Sequence, residues 1–342
     1  MRIGVLTSGG DCPGLNAVIR AVVRRGIKGF GDTVIGFHDG WNGVMKNEYE
    51  ELDILRLRGT LPRGGTILGT SRQTPYMVEG GLATAKANLD ALEIEAMVVI
   101  GGEGSLSCAL ALQNDGVTRV VGVPKTIDND VGGTERTFGF DTAVSIATDA
   151  IDRLHTTAES HDRVMVVEVM GRHVGHIATW SGMAGGATMT LIPEVPFDIR
   201  AVAEALTRRH QQKFASIVVV AEGALPVPGT MDMPKPEIDQ YGHKRLGGIG
   251  RAVASELEHR TGFETRVTVL GHVQRGGTPT AYDRVLCTRF GVAAVDAMHD
   301  GDFGQMIALD ADMMKRVPLS EATRDLRHVN PQIWETAKVF FA

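Results

Sequence analysis

Apolar residues in this chain fall into short, nearly unbroken runs, and each run stops abruptly at glycine or charge. Arg2–Thr7 is the first, broken by Ser8-Gly9-Gly10-Asp11-Cys12-Pro13-Gly14. Leu15–Lys28 then carries apolar residues near helical spacing. The same unit recurs. Ala96–Ile100 reads as strand, Gly101-Gly102-Glu103-Gly104-Ser105 as loop and Leu106–Gln113 as helix. Arg119–Val123 leads into a polar loop at 124–130 and a long helix over Asp141–Ala158. Val164–Val169 leads into Met170-Gly171-Arg172 and a helix over His173–Met183. Val218–Ala221 and Val267–Leu270 are two further short buried strands. Continuous apolar strands alternating with helices imply parallel sheets covered on both faces. A length of 342 residues exceeds a typical single core, so two α/β domains are expected. Ala224–Gly242, with Pro226, Pro228, Pro234 and Pro236, reads as a surface excursion before a helix at Ile249–Arg260, not as a domain boundary.

Composition narrows the class. Hydrophobic residues make up 43% and charged residues 22%, enough for large cores on a soluble chain. Forty-two glycines against 5% aromatics suit a fold with many tight strand-to-helix turns. The net charge of −6, without a long basic run, argues against a broad nucleic-acid footprint. Cys12, Cys108 and Cys287 match no zinc spacing. The chain opens straight into a strand without a signal-peptide pattern, and no apolar run approaches membrane-spanning length. A cytoplasmic enzyme is the expected class.

The densest polar chemistry is Pro124-Lys125-Thr126-Ile127-Asp128-Asn129-Asp130, which follows the apolar Val120–Val123. Strand ends opening into polar loops are where open α/β sheets hold ligands. A cation, a hydroxyl and two carboxylates here suggest a transferase or hydrolase acting on a phosphorylated compound. A surface turn with Asx hydrogen bonds is the bland alternative. Gly9-Gly10-Asp11 and Gly101–Ser105 both end strands and precede helices, a setting that lets backbone N–H groups approach phosphate. Glu103 either holds Mg²⁺ or simply complements a helix dipole. A third glycine loop, Gly64-Gly65-Thr66-Ile67-Leu68-Gly69-Thr70-Ser71-Arg72, ends in an arginine suited to clamp a transferring phosphoryl group.

Downstream, Arg163, Met170-Gly171-Arg172, Glu222, Arg266 and His272-Val273-Gln274-Arg275-Gly276-Gly277 lie at strand ends. Together they suggest a phosphosugar site. Arginines grip phosphate through their planar fork, and Glu222 would accept hydrogen bonds from sugar hydroxyls.

In order and length these motifs resemble the 6-phosphofructokinase family over nearly the whole chain. Ala158-Glu159-Ser160-His161 and Gly277–Arg284 look most like its actinobacterial branch. The resemblance implies two doubly wound, mostly parallel-sheet domains with the chain crossing between them. A phosphoryl-donor domain would span 1–139 plus 274–324, and a sugar-phosphate domain 140–273 plus 325–342. It implies transfer of a phosphoryl group to the 1-hydroxyl of fructose 6-phosphate, with Asp128 as the base. Thr126 and Asp130 would frame the reacting end, Lys125, Arg72 and Arg172 would join the catalytic set, and Glu103 would serve Mg²⁺. Gly10, Arg72, Gln73, Gly102, Glu103, Gly104 and Ser105 would line the ATP site. Thr126, Ile127, Asp128, Met170, Gly171, Arg172, Glu222, His272, Val273, Gln274 and Arg275 would line the sugar site. Arg163 and Arg266 would reach that site from a neighbouring subunit of a homotetramer.

Two positions bear on the phosphoryl donor. Glycine at 104 accompanies ATP use in the family, since an aspartate there would occupy nucleotide space and repel its α-phosphate. Lysine at 125 is common in pyrophosphate-using members. ATP is the expectation, because Gly104 removes a fixed block while a lysine side chain can swing. Arg20 and Arg24 share a helix face, as effector-binding arginines do in bacterial relatives, but His155 stands where another arginine is common. NAD and lipid kinases share a Gly-Gly-acid-Gly loop, but are not expected to carry the downstream sugar motifs. A non-catalytic paralogue would be expected to lack Asp128 or Glu103. The first loop lacks the Gly-x-Gly-x-x-Gly spacing of dinucleotide-binding dehydrogenases.

Overall fold

A computed structural model of the chain describes residues 1–211, 215–233, 237–238 and 244–341. Positions 234–236 and 239–242 of the proline-rich excursion therefore lie outside the described residues. The strands, numbered along the chain, are β1 (Arg2–Thr7), β2 (Thr33–Phe37), β3 (Tyr49–Leu52), β4 (Ala96–Gly101), β5 (Val120–Pro124), β6 (Val164–Val169), β7 (Met189–Leu191), β8 (Ser216–Ala221), β9 (Glu237–Ile238), β10 (Lys244–Arg245), β11 (Thr265–Val269), β12 (Gln305–Asp310) and β13 (Met313–Pro318). They form two compact α/β units. The first comprises Met1–Thr142 and Arg275–Arg327, the second Ala143–Gln274 and His328–Ala342.

The first unit holds a seven-stranded sheet in the order β13-β12-β5-β4-β1-β2-β3. Its five central strands run parallel, and β3 and β13 pair antiparallel at the edges. The chain goes from β1 outward to β2 and then returns to place β4 on the other side of β1. That reversal makes a switch point between β1 and β4, and the crevice beyond its carboxyl ends is the favoured ligand position in open α/β sheets. Helices on the faces bury a core that includes Leu6, Phe37, Trp41, Val99, Leu106 and Met306.

The second unit holds a four-stranded parallel sheet in the order β11-β6-β8-β7. Its switch point lies beside β6, with β8 on one side and β11 on the other. Val166, Leu206, Val218, Val220, Val253 and Leu257 form part of its core.

The apolar runs locate their strands to within two residues, but the helix boundaries move. The first helix stops at Arg25 and continues as a wide turn through Phe30, so it falls short of Lys28. Glycines at 26, 29 and 31 account for this early end. The helix expected from Leu106 begins at Glu103, so Glu103, Gly104 and Ser105 form its first turn. The strands β2, β3, β7, β12 and β13 have no counterpart in the sequence reading.

Candidate active site

Four loops of the first unit meet where β1, β4 and β5 end, and hydroxyl groups lace them together. The Gly9 N–H donates to the Ser71 carbonyl at 2.9 Å, and Thr70 Oγ1 donates to the Gly9 carbonyl at 2.7 Å. Ser105 Oγ hydrogen-bonds Ser8 Oγ at 3.0 Å, tying the loop after β4 to the loop after β1. Asn16 Nδ2 donates to the Arg63 carbonyl at 2.9 Å, and its Oδ1 accepts from Ile67 N at 2.8 Å. Gly64 packs so closely on Gly277 that any Cβ there would overlap the Gly277 carbonyl. The three glycine loops of the sequence therefore form one cradle, and Gly276-Gly277 closes one side of it.

Two cations sit in this cradle. Lys125 is buried and Arg275 half-buried. A Cβ on Gly9 would come within 3.4 Å of Lys125 Nζ, and one on Gly10 would overlap the Arg275 guanidinium. Burial lowers the Lys125 pKa below its ordinary value, and the positive charge of Arg275 adds to this. A cation held this way gains when an anion arrives. Arg275 thus stands beside the glycine loops of the first unit, within the stretch 274–324 that the sequence assigned to that domain. Cys12, buried beside Lys125, has its thiol pKa pushed far above the ordinary range by desolvation, which disfavours the thiolate.

Glu103 is exposed at the first position of its helix, where one carboxylate oxygen accepts from Ser107 Oγ at 3.0 Å. Gly104 follows it on the exposed side, and a Cβ there would meet nothing within 4 Å. Glycine costs a helix about 1 kcal/mol relative to alanine. Since nothing in the fold excludes a side chain at 104, packing does not explain this glycine. Arg72 is exposed and Gln73 half-buried next to the same loops. Among the described residues no group of three His, Cys, Asp or Glu side chains is arranged to hold a metal.

Asp128 is 4% exposed, in the loop that leaves β5. Its N–H donates to Thr126 Oγ1 at 3.0 Å, and Ile127 is buried beneath it. Asn129 adopts a left-handed conformation with φ of 56°, which asparagine tolerates better than most residues. The loop returns to form an isolated bridge between Lys125 and Phe138.

The second unit gathers the expected sugar motifs at the carboxyl ends of β6, β8 and β11. Met170 is buried, while Arg172 and His272 are exposed. The Arg172 N–H donates to Glu222 Oε1 at 3.1 Å, so Glu222 shapes the arginine's loop. Val273 is exposed, whereas Gln274 is 0% exposed. Gln274 Oε1 accepts from Met170 N at 3.3 Å, and its Nε2 donates to the Gly271 carbonyl at 3.1 Å. Both ends of that amide are engaged by backbone, so Gln274 ties two loops together.

Arg163 and Arg266 are not brought to these loops. They sit at the opposite ends of β6 and β11, where both pair with Glu264, Arg163 at 2.8 Å. The strand between Arg163 and Met170 spans roughly 20 Å.

Two structural residues escaped the sequence reading. Asp283 is fully buried and accepts from Gly139 N at 3.0 Å, Thr142 N at 2.9 Å and Thr142 Oγ1 at 2.5 Å. Burial pushes its pKa from 3.8 up to about 6, against the pull of those three donors. The pattern Thr280-x-x-Asp283 is a capping signature that could have drawn attention to it. Thr137 had no such signal.

A family model described as phosphofructokinase matches residues 2–298. A Streptomyces coelicolor protein named pyrophosphate–fructose 6-phosphate 1-phosphotransferase is 57% identical over 341 residues, covering 100% of both chains. A Corynebacterium efficiens protein named ATP-dependent 6-phosphofructokinase is 55% identical over 347 residues, covering 100% of this chain and 99% of the other. Among solved structures, the phosphofructokinase of Saccharomyces cerevisiae superposes with a TM-score of 0.81 at 33% identity. That match covers 99% of this chain and 46% of the yeast chain, so this chain spans about half the length of its yeast relative.

Proposed function

The chain belongs to the phosphofructokinase family, and from that premise we propose that it is an ATP-dependent 6-phosphofructokinase. It transfers the γ-phosphoryl group of ATP to the 1-hydroxyl of fructose 6-phosphate, giving fructose 1,6-bisphosphate and ADP. The observation that carries the choice of ATP is the open space over Gly104, at the start of a helix and next to the exposed Glu103. A nucleotide needs room beyond its terminal phosphates, and this position leaves it.

In this reading the cradle of Gly10, Gly102, Glu103, Gly104 and Ser105, with Arg72 and Gln73, receives ATP. Lys125 and Arg275 offset the negative charge of the transferring group, which is the main demand of phosphoryl transfer. Asp128 accepts the proton of the attacking hydroxyl, and Thr126 holds the Asp128 backbone. Met170, Gly171, Arg172, Glu222 and His272 receive the sugar phosphate in the second unit. Glu103 fits Mg²⁺ through its exposed carboxylate, because Mg²⁺ usually takes one or two carboxylates together with phosphate oxygens. Bound there, Mg²⁺ would supply charge neutralisation at the phosphates. Arg163 and Arg266, remote from the sugar loops of their own chain, would serve a neighbouring subunit in a tetramer. No described helix is long and apolar enough to cross a membrane.

Lys125 supports a second reading, in which pyrophosphate is the donor. Its ammonium lies at the Gly9 turn, where a phosphate would favour its charged form. Initial rates with fructose 6-phosphate and Mg²⁺, comparing ATP with pyrophosphate, decide between the two. ATP should support turnover at least about 100-fold better, and Gly104→Asp should erase that preference. Turnover with pyrophosphate alone would overturn the ATP assignment, and no turnover with either would point to another acceptor or to a regulatory paralogue.

A further inference from the structure

The geometry points to Thr137 as the positioning residue for the base, acting through Thr126 and Asn129. The inference rests on the reading of Asp128 as that base. The loop from Lys125 to Phe138 leaves β5 and returns beside its own start, where Phe138 N donates to the Pro124 carbonyl at 3.4 Å. A loop of this length has many conformations unless something inside it fixes one. Thr137 makes the internal ties. Its Oγ1 donates to the Thr126 carbonyl at 2.7 Å, and its N–H donates to Asn129 Oδ1 at 2.9 Å.

Thr126 and Asn129 control the direction in which Asp128 leaves the backbone. Thr126 does so through its hydroxyl, which accepts from Asp128 N at 3.0 Å. Asn129 does so through its left-handed turn at φ 56°. The far side of the turn is held from outside, where Arg327 N donates to the Asp130 carbonyl at 2.9 Å. Asp128 is thus bracketed by two residues that share one anchor. Thr137 is 1% exposed and cannot touch a substrate. Its effect must pass through the placement of Asp128.

Placement matters because a general base works only within about 2.6–3.2 Å of the proton it takes. A displacement of about 1 Å can cost on the order of 100-fold in rate. Thr137→Val keeps the shape of the side chain but removes the hydroxyl, leaving the Thr126 carbonyl without that donor. Turnover should fall about 10- to 100-fold, while KM for fructose 6-phosphate and for the phosphoryl donor stays within about threefold. Thr137→Ser keeps the hydroxyl and should restore kcat to within about threefold of the parent. Asn129→Gly tolerates the left-handed turn but lacks the acceptor. It should show the same kcat-only loss, and it replaces Thr137→Val if that variant does not fold.

The pair with Asp128→Asn separates this inference from the function it rests on. If Asp128→Asn turns over near the parental rate, the base assignment itself fails. If Asp128→Asn is slow, adding Thr137→Val should cost little more, since no base remains to be misplaced. An undiminished kcat in Thr137→Val would overturn the positioning role. So would an equal loss in the presence and absence of Asp128, or a Thr137→Ser as slow as Thr137→Val.

Discussion

The glycine-rich loops of the first unit, which we propose hold the phosphoryl donor, and the loops of the second, which we propose hold the sugar phosphate, are built on the same plan of parallel strand ends at a switch point, yet they are held differently. In the first unit the loops bind one another: Gly9 to Thr70 and Ser71, Ser8 to Ser105, Asn16 to 63–67. Their ligand-facing surface is largely glycine backbone with two sunken cations. In the second unit the ligand-facing groups are exposed side chains, Arg172 and His272, on loops fastened from beneath by Gln274 and Glu222. Phosphates are alike from one compound to the next, so a fixed backbone cradle suffices for them. A sugar phosphate has a particular length and hydroxyl pattern, and reading it takes longer side chains. The comparison teaches that the first unit should respond to mutation mainly in kcat and donor selectivity, and the second mainly in acceptor KM.

The sharpest way to break this division is at Asp128. Asp128→Ser should leave fructose 6-phosphate binding nearly intact and reduce kcat by about 10²–10⁴-fold, the usual contribution of a general base. A variant that instead loses acceptor affinity, with chemistry preserved, would erase the distinction between the two units.

A smaller effect tests the other side. Gln274→Met fills the same space but offers neither the carbonyl to Met170 N nor the amide to Gly271 O. An unpaired buried N–H costs about 1–3 kcal/mol, which places the expected rise in KM for fructose 6-phosphate at roughly 5- to 150-fold. The KM for the phosphoryl donor should stay within about twofold. Equal changes in both constants, measured on the same preparation, would show that Gln274 serves the enzyme as a whole.

Much of this was legible because the informative residues are local. Each apolar run marked a central strand and each glycine loop marked the end of one, so Gly9, Gly102, Asp128 and Met170 could be placed from their neighbours in the chain. Two things were not legible. The edge strand β13, Met313–Pro318, has no buried residue and includes the exposed Lys315 and Arg316, so it has no apolar signature. The long-range ties also lacked a local pattern. Gln274 sits in the middle of a ligand-like motif, and only its distance to Met170, 104 positions earlier, shows that it is spent on the backbone. Arg275, the next residue, lies against Gly10, and that closeness too has no local pattern. Thr137 resembles any other threonine until Thr126 and Asn129 are seen on either side of it.

The smallest expected effect concerns stability within the first unit, and it follows from Asp283. Its carboxylate anchors Gly139 and Thr142 at the root of the long helix that begins at Phe140, and burial raises its pKa from 3.8 to about 6. Between those values the unfolded chain has already lost this proton while the folded chain keeps it. The folded state therefore binds more protons, and stability from this group declines as pH rises through that window. Asp283→Asn does not titrate. The stability advantage of the parent over Asp283→Asn should thus be greater at pH 4.5 than at pH 7, by on the order of 2 kcal/mol. Urea midpoints at both pH values measure this difference directly. A gap that is constant, or that widens toward pH 7, would mean that the three donors around Asp283 outweigh its burial. The carboxylate would then hold the helix root as a charged cap, and the first unit would be strongest at neutral pH.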